Sequence, residues 1–155
     1  MVNEFWQNFL ECITKKFFKF SGRASRKEYW GFILVMIVVG LIFDLLQLIL
    51  FNTVLGGIFG LLMSLWGLFI IIPHFAVAIR RLHDTNKSGW YIVLPIAVIF
   101  LGSIISFMLG EKFILVGILL YIISLVYLIF LFVKKGDVGE NRYGEDPYLD
   151  ENLEI

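Results

Sequence analysis

Four long apolar stretches, separated by short polar segments, dominate the pattern of this chain. They cover about residues 31–51, 56–79, 91–109 and 113–133. Each is close to the ~20 residues that a helix needs to cross ~30 Å of hydrocarbon at ~1.5 Å per residue. The pattern therefore predicts an all-α membrane protein with four transmembrane helices, in a domain that covers residues 21–135.

A different periodicity precedes the first apolar stretch. Phe5, Phe9, Ile13 and Phe17 recur every four residues, and charged or amide side chains fill the opposite face. A helix of this kind is too polar to span a membrane and suits the headgroup layer. We predict an amphipathic interfacial helix over residues 3–20. Packing of this helix against a partner protein is the alternative that the pattern leaves open.

Nearly all basic residues lie on one side of the predicted membrane domain. Six precede the first span, three lie in the loop after the second and three follow the fourth, whereas Lys112 alone lies in a loop on the opposite side. Cytoplasmic segments of membrane proteins carry an excess of Lys and Arg. The asymmetry predicts that both termini and the middle loop are cytoplasmic, with a cytoplasmic acidic tail over residues 136–155.

Composition supports a membrane protein and narrows its function. Hydrophobic residues make up 59% of the chain, above the ~45–50% of soluble domains. Lys+Arg and Asp+Glu number 13 each, and this balance argues against a dedicated nucleic-acid binder. One cysteine and two histidines do not build a cysteine or multi-histidine metal centre. We expect no metal, no cofactor and no nucleic-acid partner, and we find no nucleophile–base pair that would indicate an enzyme.

Three polar motifs flank the predicted spans on their basic side. They read SGRASRKEYW over residues 21–30, RRLHD and SGW within residues 80–90, and NRYG and DP within residues 141–147. In this combination and order they resemble the bacterial inner-membrane family called domain of unknown function 805 (DUF805), the small YhaH-like proteins, over roughly residues 17–147. The resemblance implies a location in the bacterial inner membrane and a shared fold. It assigns no activity and no catalytic residue.

The three motifs also supply a first candidate site. They adjoin the ends of the spans at one membrane level, where charges of both signs lose hydration and benefit from pairing. We predict one polar cluster in which Arg81 or Arg142 pairs with Glu28, Asp84 or Asp146. The candidate residues for this cluster, and for contact with lipid headgroups, are Arg23, Arg26, Lys27, Glu28, Arg80, Arg81, His83, Asp84, Asn141, Arg142 and Asp146.

Two features within these motifs allow more than one interpretation. Arg26 and Lys27 fall in the first turn of a helix that Ser25 would cap, where the helix dipole disfavours cations. A phosphate bound by free N–H groups and both side chains would offset this, and snorkelling to the membrane surface is the alternative. His83 and Asp84 are adjacent on a helix and cannot face each other, so we expect His83 to organise loop hydrogen bonds.

Asp44 marks a second candidate site, because a carboxylate at membrane depth normally faces protein or water. Gln47, Ser103 and Tyr121 fall at a comparable depth, or within one turn of it. We expect these four residues to form an intramembrane polar site in which Asp44 faces protein. Asp44 would then serve either as a hydrogen-bonded structural group or as a proton or ion site.

The sequence leads to two main hypotheses of function. The first is a non-enzymatic membrane scaffold or interaction protein whose basic cytoplasmic face contacts anionic phospholipid, a membrane-protein partner or a second copy of the chain. The second is a small transporter or channel subunit that uses Asp44. A third, a lipid-modifying membrane enzyme at the face of Arg26, Arg81, His83 and Asp84, is less favoured because no nucleophile–base pair is recognisable. A water-filled path past Asp44 would favour transport, whereas a closed bundle with a polar cytoplasmic cluster would favour interaction.

Overall fold

The computed structural model describes residues 2–110 and 114–148. Within these ranges the chain forms five α-helices and no β-strand. The helices are α1 (Val2–Ile13), α2 (Arg26–Leu50), α3 (Val54–Asp84), α4 (Val93–Leu109) and α5 (Ile114–Val133). One turn of 3-10 helix, Gly89–Ile92, leads into α4. Residue 113 of the fourth predicted span, Lys112 and residues 149–155 of the predicted tail lie outside the described residues.

Three of the described helices, α2, α3 and α5, are long and apolar enough to cross a membrane by length and composition. Helix α4 is also apolar but shorter, with 17 residues. The helices agree closely with the predicted stretches, and the main difference is at the basic side. There α2 begins at Arg26 because the Ser25 hydroxyl accepts the Glu28 N–H at 3.1 Å, which is the predicted helix cap.

Helix α1 is shorter than the predicted interfacial helix over residues 3–20 and packs on α2. It ends at Ile13, and Phe17 turns away to contact the Phe69 ring of α3 at 4.8 Å between centroids. Phe9 is buried and stacks on Phe32 of α2 at 5.3 Å. Phe9 and Phe17 of the predicted apolar stripe therefore contact α2 and α3 of the same chain. Such tertiary contacts stabilise an amphipathic helix in the way that a lipid surface would.

Two helical hairpins make up the rest of the fold. Helix α3 follows α2 after a turn in which the Thr53 hydroxyl accepts the Gly56 N–H at 2.9 Å. A Cβ at Gly56 would lie 2.2 Å from the Leu50 carbonyl oxygen, so this turn requires glycine. In the second hairpin, α4 and α5 approach closely where a Cβ at Gly102 would lie 3.3 Å from the Gly117 Cα. Small residues at such crossings bring membrane helices into contact.

The buried core lies toward the basic side of the molecule. Toward the opposite ends of the helices most large apolar side chains are exposed, as expected for surfaces that contact lipid. The core instead joins α1, the start of α2, the second half of α3 and the end of α5. Its buried members are Phe9, Cys12, Ala24, Tyr29, Phe32, Ile70, Val77, Ala78, Leu82, Leu131 and Phe132. The predicted polar motifs adjoin this core.

Candidate functional site

Asp84, the last residue of α3, is the centre of the polar cluster. Its side chain is fully buried, and so is that of Arg81, while the Arg23 side chain is 1% exposed. Arg23 Nε donates to Asp84 Oδ1 at 2.9 Å, and Arg81 Nη1 donates to Asp84 Oδ2. Each carboxylate oxygen therefore holds a different guanidinium, one from the segment before α2 and one from α3.

The same two guanidinium groups also bind the backbone of the tail that follows α5. Their remaining N–H groups donate to carbonyl oxygens, from Arg23 to Asp137, Gly139 and Gly144 of the tail, and from Arg81 to Phe132 in the last turn of α5 and to Lys134 just after it. A buried guanidinium is stable only when its N–H groups find acceptors. The backbone of the tail and of the end of α5 supplies these acceptors, so the two arginines fix the tail against the end of α3.

Asp146 joins the cluster from the tail. Its Oδ1 lies 3.9 Å from Arg23 Nη2, and its carboxylate accepts the N–H groups of Gly139 and Tyr148 at 2.9 and 3.0 Å. Burial alone would raise the pKa of Asp146, but the two backbone N–H groups and the Arg23 charge outweigh it and lower the pKa below its ordinary value. Asp146 is therefore ionised at neutral pH, and its hydrogen bonds to Gly139 and Tyr148 stabilise the fold of the tail.

Glu28 forms a second group of ion pairs, on the side of α1. Its Oε1 lies 2.5 Å from Arg80 Nη1 and 3.3 Å from Lys16 Nζ. Cys12 Sγ lies 3.6 Å from the same oxygen. Burial, together with the Glu28 charge, raises the pKa of Cys12 to about 11. The Cys12 thiol is therefore protonated and poorly reactive at neutral pH.

His83 organises the outer side of the cluster, as predicted. Its ring stacks on Tyr143 with 3.8 Å between centroids and 4° between planes. His83 Nδ1 lies 3.1 Å from the Gly22 carbonyl oxygen, which can only accept, so Nδ1 carries the proton. The Asn141 amide donates to the His83 carbonyl at 3.0 Å. One histidine thus links all three motifs through hydrogen bonds and stacking.

The structure therefore brings the three motifs together, as the sequence predicts. The acid that pairs with Arg81 is Asp84, one of the three acids proposed for this role. Arg142 instead donates to the Asn86 carbonyl at 2.9 Å and lies over the Tyr143 ring at 4.7 Å. The role of these residues toward lipid headgroups stays a prediction.

An open cavity of about 870 Å³ lies beside the cluster, and we call it the basic cavity. Its charged lining residues are Arg26, Lys27, Lys135, Asp137 and Asp146, and its apolar lining residues include Phe5, Trp30, Val133 and Val138. The three cations are all exposed. The cavity lies where α2 begins and α5 ends, at the same end of the molecule as the polar cluster.

Two of the N–H groups that a phosphate could use in the first turn of α2 already have acceptors. The Arg26 N–H donates to the Tyr148 hydroxyl at 2.7 Å, and the Glu28 N–H donates to the Ser25 hydroxyl. A local cap from Ser25 and the Tyr148 hydroxyl of the tail thus satisfy these donors. Any anion at this end of α2 would bind mainly through side chains.

The second candidate site is not assembled as predicted. Ser103 and Tyr121 do line one cavity, of about 280 Å³, between α4 and α5. Gln47 instead faces α3, where its Oε1 would lie 3.6 Å from a Cβ at Gly60, and Asp44 is exposed on α2. The four residues therefore lie on two different helical hairpins.

The expectation that Asp44 faces protein is wrong for the single chain. The stripe of α2 that faces α3 runs through Phe43 and Gln47, which are one turn apart; Phe43 contacts the rings of Phe59 and Trp66 on α3. Asp44 follows Phe43 by one residue and is thus rotated by ~100° from it around the helix. This rotation places the carboxylate outside the α2–α3 interface.

Sequence reasoning also missed two residues that shape the site. Gly136 packs so closely on Asp84 that a Cβ there would lie 2.0 Å from Asp84 Oδ2. Lys135 lines the basic cavity, but in the sequence it looks like an ordinary anchor at the end of a span. The KKG sequence at residues 134–136 is the available signal, because glycine shortly after a helix often permits close backbone approach.

Comparisons with known proteins agree with the membrane fold. The family described as "Protein of unknown function (DUF805)" matches residues 17–145. The inner membrane proteins YhaI and YhaH of Escherichia coli K12 are 38% and 35% identical to the chain, covering 90% and 89% of it and 95% and 94% of their own lengths. The uncharacterized protein YiiR of Escherichia coli K12 is 31% identical, covering 86% of the chain and 89% of its own length. No solved structure matches the chain.

Proposed function

The chain belongs to the DUF805 family of membrane proteins, and we propose that it is a non-enzymatic scaffold of the bacterial inner membrane whose cytoplasmic face binds anionic phospholipid. The observation that carries this proposal is the division of charges at the basic end. The ion pairs around Asp84 and Glu28 neutralise buried charges, whereas Arg26 and Lys135 are exposed around the basic cavity.

In this proposal four helices cross the membrane, and both termini lie in the cytoplasm. The third crossing in chain order includes α4, whose 17 residues rise ~26 Å. The 3-10 turn of Gly89–Ile92 adds ~8 Å at ~2 Å per residue, which brings the pair to the thickness of the hydrocarbon core. Trp90, at the start of this turn, is 78% exposed and suits the aromatic belt of a membrane interface.

A folded basic face at the membrane surface favours anionic lipid as the ligand. Each Lys or Arg near an anionic leaflet contributes ~1 kcal/mol of attraction. If the tail were mobile, the free-energy cost of ordering it on binding would partly offset this attraction. Here Arg23 and Arg81 already fix the backbone after α5, and Lys135 lines the same cavity as the start of α2. The proposal therefore needs no new folding step when lipid binds.

The orientation can be tested by labelling introduced cysteines in intact cells. We expect Glu140→Cys to be protected from a membrane-impermeant maleimide added outside, and Glu111→Cys to be labelled, because the basic side is cytoplasmic. Native Cys12, whose pKa is about 11, should contribute little signal at neutral pH. Labelling of Glu140→Cys from outside, with protection of Glu111→Cys, would reverse the topology and remove the proposed cytoplasmic face.

The lipid preference can be tested with the full chain in detergent. After equilibration with equal amounts of phosphatidylglycerol and phosphatidylcholine, native mass spectrometry should show phosphatidylglycerol retained at least about fivefold more, as expected for several interfacial cations. Raising the salt should weaken the preference, because exposed charges are screened. Equal retention of the two lipids would contradict anionic lipid as the ligand and would favour a protein partner for the same face.

The alternative function, a transporter or channel subunit that uses Asp44, is favoured by one observation. Asp44 is exposed on α2, and a carboxylate at membrane depth requires cover by protein or water. Because α3 does not supply that cover, a path past Asp44 would need a second copy of the chain against α2. The native mass spectra also report oligomeric state, and a monomer under all conditions would exclude this path.

A further inference from the structure

We infer that the basic cavity is a specific binding site for one anionic phospholipid, with the headgroup phosphate between Arg26 and Lys135 and an acyl chain along Trp30. The inference rests on the proposed function and deepens it, because it places lipid binding in one cavity instead of over the whole basic face. Its volume of about 870 Å³ lies within the range of known ligand pockets.

Two cations of this cavity, Arg26 and Lys135, differ from the arginines of the polar cluster in their ion pairing. Among residues 2–110 and 114–148, the side chains of Arg26 and Lys135 form no ion pair, whereas Arg23 and Arg81 share Asp84. Of the two acids in the lining, Asp146 is already engaged by Arg23 and by backbone N–H groups. The cavity therefore presents cationic side chains to an incoming phosphate.

The apolar wall indicates a lipid in preference to a soluble anion. Phe5, Trp30, Val133 and Val138 line the cavity together with the cations. The side chains of Trp30 and Val133 are 39% and 52% exposed, so they offer apolar surface to a ligand. A soluble phosphate would leave this wall in contact with water, whereas an acyl chain would cover it.

The depth of the cavity fits the same ligand. It opens at the first turn of α2 and just after the last turn of α5, and both helices are long and apolar enough to cross a membrane. The hydrocarbon core ends at this level, and lipid phosphates lie just outside it. Arg26 lies one turn before Trp30 in α2, and Lys135 follows Val133 at the end of α5, so the cations lie nearer the helix ends than these apolar residues, in the order of headgroup and acyl chain.

The walls of the cavity are fixed before any ligand arrives. Phe5 packs directly on the α2 backbone, where a Cβ at Gly31 would lie 2.7 Å from Phe5 Cδ1. On the opposite side, the Arg26 N–H donates to the Tyr148 hydroxyl, which joins the tail to α2. Preorganised walls reduce the ordering cost of binding, as expected for a retained lipid.

The decisive comparison uses two double variants that remove the same charge. In the equilibrium with phosphatidylglycerol and phosphatidylcholine, we expect Arg26→Ala/Lys135→Ala to retain about tenfold less phosphatidylglycerol than the unmodified chain, since the bound phosphate loses both of its proposed side-chain contacts. The control Lys15→Ala/Lys19→Ala removes two exposed cations of the same side that lie outside the cavity lining, and it should stay within about twofold because the phosphate keeps both contacts. Lys135→Glu alone, at an exposed position, should act in the same direction as the cavity variant.

Each outcome separates the cavity from the general lipid preference. If both double variants still prefer phosphatidylglycerol equally, the cavity inference is overturned, while the proposed function stands. If the unmodified chain shows no preference, the proposed function itself fails. Inorganic phosphate in excess should leave lipid retention unchanged beyond the effect of equal ionic strength from chloride; specific displacement by phosphate would assign the cavity to a free anion and overturn the lipid assignment.

Discussion

Replacing Asp84 by alanine should lower the free energy of unfolding by about 3–5 kcal/mol. The change removes the carboxylate that both Arg23 and Arg81 bind, and it leaves two guanidinium groups buried at 1% and 0% exposure. A buried charge without a counter-charge is among the most destabilising changes in a protein. The loss can be measured by denaturant unfolding of the purified protein in detergent, followed by helical circular dichroism.

A matched control separates this effect from a general loss of charge. Lys15→Ala removes one member of an exposed pair with Glu11, in which the lysine side chain is 78% exposed. Such a pair contributes less than about 1 kcal/mol. If Asp84→Ala costs no more than Lys15→Ala, the Asp84 carboxylate does not hold the two arginines, and the polar cluster does not stabilise the fold.

The helices could be predicted from the sequence because hydrocarbon thickness fixes their length and apolar character. Helix α5 was predicted over residues 113–133 and is found at Ile114–Val133. The start of α2 was also readable, since Ser25 and Glu28 have the spacing of a capped helix. These features depend on residues close together in the chain. Helix bounds and caps, which depend on local sequence, are therefore predicted with little error.

The sequence does not predict which side of α2 contacts α3, and Asp44 shows the reason. When a helix is apolar on nearly all sides, hydrophobic periodicity does not identify the side that contacts protein. Aromatic packing of Phe43 on Phe59 and Trp66 decides the rotation, and the sequence contains no periodic signal for it. The sequence therefore does not show that the Asp44 carboxylate lies outside the α2–α3 interface of the single chain.

Within the polar cluster, the meeting of motifs was predictable but most partners were not. Arg81 and Asp84 are three residues apart on one helix, so their pairing follows from helix geometry. Arg23 reaches Asp84 across 61 positions of the chain, and its tail acceptors are backbone carbonyls that carry no side-chain signature. The basic cavity is similarly built from distant segments, with Phe5 and Lys135 in one lining.

Gly136→Ala should destabilise the protein by about 2–3 kcal/mol, although it adds only one methyl group. A Cβ at this position would lie 2.0 Å from Asp84 Oδ2 and 2.4 Å from Asp84 Cγ. The carboxylate cannot move aside freely, because Arg23 and Arg81 hold its two oxygens. The tail must shift instead, so we also expect weaker retention of phosphatidylglycerol. Unfolding in detergent and native mass spectrometry measure the two effects.

The double variant Asp84→Ala/Gly136→Ala tests whether this contact causes the loss. Alanine at position 84 removes the carboxylate that the new methyl group would meet, so the double variant should lose at least about 1 kcal/mol less than the sum of the single losses. Gly40→Ala on α2, where a Cβ meets nothing within 4 Å, is the control and should not destabilise the fold. Additive losses in the double variant would show that Gly136 acts through some other contact than Asp84.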